Sequence, residues 1–307
     1  MSKKIGINRL IHESGPYKKW SLQQRKEFME LRLDQEQDIR LMYDNVSRQI
    51  SEQIANGGVN AFDKQRLNRV QIDIKNRIDE LNSQLTINFD KYITKNVEVG
   101  SNYSKQITID LAKKAGAARL SSSVIENAFY KMNTNAVEAM WSRSRYGLTL
   151  NDHIWNKNEN YRKHINKILI SGVATGEDCV TVARSLEKYI KNGKSTFAKE
   201  YPNMMARMGG RIPEDISYEA LRLARTEMTS AFGMATMKSA AMNPTNEGVR
   251  FILSGSHPEY DICDIYCDAD DYGLGPGGYP LNEAPDYPFH PNCLCIMMQI
   301  VADVDDT

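Results

Sequence analysis

The sequence predicts a mainly α fold: a long N-terminal helical hairpin and a helical body, followed by a small α+β, metal-stapled C-terminal unit. Three observations carry this expectation. Apolar residues recur at steps of three and four along most of the chain before Gly248, the signature of amphipathic helices. After Gly248, short β-rich runs flank a stretch dense in Asp, Gly and Pro. Four of the five cysteines lie between positions 263 and 295. The expected units are 1–100 (hairpin), 101–247 (body) and 248–307 (Cys/His-rich unit).

The 307 residues exceed the usual size of one domain, and 41% hydrophobic with 25% charged residues is a globular composition. No run approaches the roughly 20 apolar residues needed to cross a bilayer, so no membrane partner is expected. The start, MSKKIGINRL, has lysines but no apolar run behind them, which predicts synthesis in a reducing cytoplasm without a secretory signal.

Residues 21–56 read as the first long helix. Ser21 and Gln24 stand at capping-box spacing, Ile39, Tyr43, Val46, Ile50 and Ile54 recur at helical steps, and Gly57-Gly58 forms a stop. Leu67, Val70, Ile74, Ile78, Leu81, Leu85, Phe89 and Tyr92 then follow an eleven-residue repeat. Such a repeat averages about 3.67 residues per turn and favours nearly straight or slightly right-handed pairing. The two segments predict a hairpin turning at residues 56–62, either an ordinary bundle pair or an arm that docks on a partner.

Shorter helices are expected from 101 to 190. SSSVIENAFYKM offers Ile125, Phe129 and Met132; NTNAVEAMWSRSRYG pairs Val137 with Trp141 and stops at Gly147; two more helices are separated by Gly172 and Gly176. His153 and His164 have no acidic or cysteine neighbours at ligand spacing and read as structural or surface residues. Cys179 reads as a small buried apolar residue. Residues 191–216 carry Gly193, Pro202, Gly209, Gly210 and Pro213 and read as a connection or inserted loop. Helix resumes over 217–242, where Leu221, Ala224, Met228, Ala231 and Ala235 form a small-residue face. Arg225 and Glu227 lie on another face, suited to a buried or half-buried ion pair.

VRFILSG and CIMMQIVAD read as two strands framing an irregular loop with too little apolar material to hold itself. A metal supplies the missing stability in such units. In a reducing compartment a Cys cluster is more often a metal site than a pair of disulfides. The candidate ligands are His257, Cys263, Cys267, His290, Cys293 and Cys295. Zinc takes four sulfur or imidazole donors; the expected set is Cys263, Cys267, His290 and Cys293, with Cys295 the first substitute and His257 a further alternative. Pro291 restricts His290 to extended backbone, and a tight HPNC turn brings imidazole and thiolate together. A reduced, metal-free cluster and disulfides are the competing readings. No H-E-x-x-H helix occurs, which favours a structural over a catalytic metal. Asp268, Asp270 and Asp271 read as a solvated acidic loop, with a hard cation as the alternative.

The net charge of zero hides an asymmetry. Residues 251–307 hold eleven Asp or Glu and no Lys or Arg, so the segment carries −11 and the remainder +11. A basic body favours a phosphate backbone or an acidic protein surface.

The helix LARTEMTSAFGMA, a short strand, HPEYDICDIYC, a Gly/Pro loop and the terminal PFHPNCLC together resemble the phage head morphogenesis domain of Mu F-like minor head proteins. The resemblance covers about residues 120–300. Its most specific parts are Arg225-Thr226-Glu227 and His290-Pro291-x-Cys293-x-Cys295. The chain departs from the family pattern at Leu294, where an arginine is common, and in the spacing of Cys263 and Cys267. The resemblance implies a virion component rather than an enzyme. Its implied place is inside the head near the portal. Its implied partners are portal protein, major capsid or scaffold components and double-stranded DNA, with roles in assembly and in DNA packaging or delivery. The alternative is a zinc-dependent nuclease or toxin-like effector delivered with phage DNA.

Overall fold

The computed structural model describes residues 3–302 except 59, 118–119, 146, 192–217 and 258. It is mainly helical, with a small three-stranded sheet near the C-terminus. The elements are α1 (Lys3–Glu13), a 3-10 turn at Gly15–Tyr17, α2 (Lys18–Ala55), α3 (Lys64–Lys114), α4 (Ser122–Ser142), α5 (Leu150–Thr175), α6 (Cys179–Lys191), α7 (Tyr218–Ala240), β1 (Asn246–Ile252), α8 (Ile262–Asp268), β2 (Gly278–Tyr279) and β3 (Ile296–Val301). The connection expected at 191–216 lies, beyond its first residue, outside the described residues.

The chain forms two compact units that are discontinuous in sequence, unlike the three consecutive segments expected. Helix α3 runs unbroken through position 100, where a boundary was expected. One unit combines residues 1–34, 91–143 and 224–307; the other combines 35–90 and 144–223. Helices α2 and α3 contribute to both.

In the second unit the apolar stripes predicted from periodicity are the core. Ile39, Tyr43, Val46, Ile50 and Ile54 of α2 and Val70, Ile74, Ile78, Leu81, Leu85 and Phe89 of α3 are all buried. Each such side chain contributes roughly 1.5–3 kcal/mol on burial. Gln35 donates to Asn88, and Gln53 and Gln49 meet Asp73 and Arg77, so the two helices run antiparallel here. The hairpin turn is tied to the α5–α6 connection: Phe62 N–H donates to Glu177 O (2.9 Å) and Cys179 N–H to Asn60 O (3.1 Å). Cys179 is buried, as expected. Thr149 and Asp152 form a reciprocal capping box at the start of α5. Helix α5 ends at Gly176, in the left-handed region at φ 68°. Gly172, expected as a separator, lies inside α5, where a Cβ would stand 2.5 Å from Val182 Cγ2.

In the first unit, small residues let helices approach closely. A Cβ on Gly100 of α3 would lie 2.7 Å from Phe232 O of α7. Asn96 donates to Met228 O, and Ser104 to Ser239 O. Leu221, Ala224, Met228, Ala231 and Ala235 are buried along α7 as predicted.

Two local expectations are corrected. Ser21 does not cap α2, which starts at Lys18 after the Gly15–Tyr17 turn; Ser21 is buried against Ser14, and Gln24 donates to Val99 O and Gly100 O. Residues 122–142 form one helix whose buried face is Ile125, Phe129, Ala136 and Met140, leaving Val137 and Trp141 half-buried. The half-buried ion pair expected on α7 forms between Glu227 and Arg143 of α4.

The C-terminal sheet is antiparallel in the order β2-β1-β3, with Val249 opposite Gln299 and Phe251 opposite Met297. Alternation sends Ile252, Ile296 and Met298 to one face, against Leu10 of α1. Val249, Phe251 and Met297 face the other way, onto Cys263, Cys267, Cys293 and Cys295. The sheet thus forms one wall of the cysteine cluster.

Candidate metal centre

The segment expected to be an irregular loop contains α8, and this helix explains the cysteine spacing. Asp261 caps it, accepting from Cys263 N–H (2.7 Å), while Asp264 accepts from Asp261 N–H (2.8 Å). Residues four apart share a helix face. Cys263 and Cys267 therefore both point inward and are fully buried, with Ile262 and Ile265 outside.

The second pair comes from extended chain. Cys293 N–H donates to His290 O (3.2 Å), closing a turn through Asn292 at φ 63°. Residues two apart in an extended strand share a face, so Cys293 and Cys295 both enter the core just before β3. Helix α7 backs this turn. Thr226 Oγ1 accepts from Asn292 N–H (3.3 Å), and Thr229 Oγ1 lies 3.3 Å from Cys293 O. Tyr287 donates its hydroxyl to Cys295 O (2.7 Å). All five cysteines of the chain are free thiols, so the disulfide reading does not hold here.

Cys263, His290 and Cys293 place their donor atoms within 4.8 Å of one another. The Cys263 and Cys293 sulfurs are 3.7 Å apart. Two thiolates each about 2.3 Å from one ion at a tetrahedral angle stand roughly 3.8 Å apart, so this edge fits zinc without rearrangement. His290 Nδ1 lies 2.8 Å from Pro291 O, and Nε2 lies 3.0 Å from Cys263 Sγ and 3.5 Å from Asp261; in the neutral tautomer that donates Nδ1–H to the carbonyl, Nε2 carries the lone pair. Such a hydrogen bond on the second ring nitrogen orients a ligating histidine. The cluster can hold a metal ion. Of the expected ligands, Cys267 lies outside this tight trio, and so does its first substitute, Cys295. His257 joins a second group with Asp261 and Cys263, whose donor atoms also lie within 4.8 Å of one another; its Nε2 meets Asp264 at 2.8 Å and Asp261 at 3.5 Å.

Without a cation, the cluster accommodates little charge. Contacts from the thiols of Cys293 and Cys295, with burial, push the Cys263 thiol up. Contact with Cys295 and burial do the same to Cys267. Cys293 is drawn down by the Cys263 thiol, but Cys295 and burial outweigh this and push it up to about 12. Cys295 goes the other way, because the thiols of Cys263, Cys267 and Cys293 all turn towards its sulfur. Burial and mutual contact thus disfavour charge on most of these sulfurs, a cost that a bound dication would offset.

Compared with known proteins, the chain matches no family model, no curated protein and no solved structure. The sequence missed α8, Thr226, Thr229 and Tyr287 as parts of this site. The capping pair Asp261-x-x-Asp264 is the signal that marks α8, and Thr226 lies in the Arg225-Thr226-Glu227 motif; Thr229 carries none beyond its helix.

Proposed function

We propose that this chain is a minor head protein of a phage virion, a structural and assembly component rather than an enzyme. Its C-terminal unit is held by a zinc ion on Cys263, His290 and Cys293, with Cys267 or Cys295 as the fourth ligand. The observation that best supports the functional reading is the contact between the two segments that carry the resemblance. Thr226, in the Arg-Thr-Glu motif, holds the HPNC turn through Asn292. Segments 66 residues apart thus form one piece around the cluster.

In this reading the protein sits inside the head near the portal and contacts portal protein and capsid or scaffold components. Its basic body favours the phosphates of packaged DNA. Among the described residues no helix is long and apolar enough to cross a membrane. A zinc nuclease needs an open coordination position; four protein ligands leave none. Co-expression with portal and capsid proteins tests the proposal: the chain is expected to co-purify with proheads and with isolated portal. Absence from both would refute it. DNA cleavage that depends on zinc and is abolished by His290→Ala would establish the nuclease instead.

A further inference from the structure

The zinc reading raises a charge problem whose solution lies outside the C-terminal unit. Three thiolates and an imidazole on a zinc dication leave one net negative charge, and four thiolates leave two. A buried centre of that kind is costly unless a cation faces it. Residues 251–307 contain no Lys or Arg. Arg250, just before them, is engaged elsewhere, with Glu13 at 3.1 Å and with the carbonyls of Leu274 and Pro276. Arg9 of α1 donates to Pro276 O and lies 3.7 Å from Glu13.

Arg25 of α2 is placed differently. Its Nη2 donates to Leu294 O (3.1 Å), the carbonyl between Cys293 and Cys295. The guanidinium lies over the Phe28 ring, 5.2 Å from its centre, which fixes its direction. Burial pushes it below its ordinary pKa, opposed by Tyr287, Cys295 and Cys293. Arg25 also lines a cleft of about 370 Å³ with Gly6, Leu22, Lys26, Ser254 and Ile296, so the site is bounded by α1, α2 and the sheet.

We propose that Arg25 is the counter-charge of the zinc-thiolate centre, a positioning residue that couples metal binding to the seating of α2 on the C-terminal unit. Seen this way, the metal staples more than its own loop: it holds a chain segment 269 residues away. The inference rests on the zinc reading.

Zinc affinity measured by competition with a colorimetric chelator tests it, on the full chain and at fixed ionic strength. Arg25→Met is expected to weaken zinc binding about tenfold or more, as loss of outer-shell partners does. Arg25→Lys should lose less. Lys26→Met, which removes the neighbouring exposed charge, should stay within about twofold. Arg25→Met at wild-type affinity, or an equal loss in Lys26→Met, overturns the role of Arg25 while leaving the zinc site standing. A wild-type chain that binds no zinc overturns both. If Arg25→Met does not fold, hydrogen exchange on the wild-type chain decides: chelation should raise exchange over residues 21–29, and unchanged exchange there refutes the coupling.

Discussion

Cys293 is the residue on which the site turns, since it closes the HPNC turn, stands 3.7 Å from Cys263 and is gripped from α7. Thr226→Val removes the acceptor for Asn292 N–H and is expected to cost about 1 kcal/mol, read as a lower thermal midpoint of the metal-loaded protein. An unchanged midpoint would mean that α7 does not support the turn. Gly277 makes a harsher test. It has φ 68°, and a Cβ there would lie 2.3 Å from Phe251 O and 2.8 Å from Cys267 O, between β1 and α8. Gly277→Ala should destabilise by about 2 kcal/mol or more, with no effect expected on the second unit. At this scale the six candidate donors were legible because Cys and His are scarce and clustered near the end of the chain. Which of them converge was not, because the convergence depends on α8 and on contacts to α7. Nothing in the sequence marks Arg25, which meets the cluster across 269 positions.

Among the elements, α3 gives the sharpest check of the eleven-residue repeat. Ile74→Ala or Leu81→Ala, on the buried stripe, should cost about 2–5 kcal/mol in denaturant unfolding. Ile87→Ala, at a position 70% exposed, should stay within about 0.5 kcal/mol. Similar effects at all three sites would mean that the stripe is misplaced. The starts of α5 and α6 predict a pH dependence. Hydrogen bonds from Thr149 hold the Asp152 carboxyl below its ordinary value, and those from Thr181 do so for Asp178. A depressed carboxyl adds stability above its unfolded pKa, near 3.9, and loses it as pH falls through the folded value. Helicity of these two starts should therefore fall in acid below about pH 4, and Asp152→Asn with Asp178→Asn should flatten that dependence. Long periodic stripes were legible because the same face stays buried over many turns. Caps were less so: Ser21 and Gln24 match a capping box by spacing, yet both are drawn into the core by Ser14 and the α3 carbonyls. The four-residue step from Val137 to Trp141 is helical, yet the buried face of α4 carries Ala136 and Met140 instead.

For the whole molecule, the division into a basic +11 body and a −11 tail segment was plain from the sequence, while the interleaving of chain segments into two discontinuous units was not. Periodicity reports which face of a helix is buried, not what buries it. In the proposed zinc reading the C-terminal unit depends on the metal, with α2 and α7 built around it. Native mass spectrometry with elemental analysis of the purified chain, repeated on Cys293→Ser, tests that claim most directly. One zinc per wild-type chain is expected, lost in Cys293→Ser together with protection of residues 248–302. A metal-free wild-type chain that keeps this protection would contradict it.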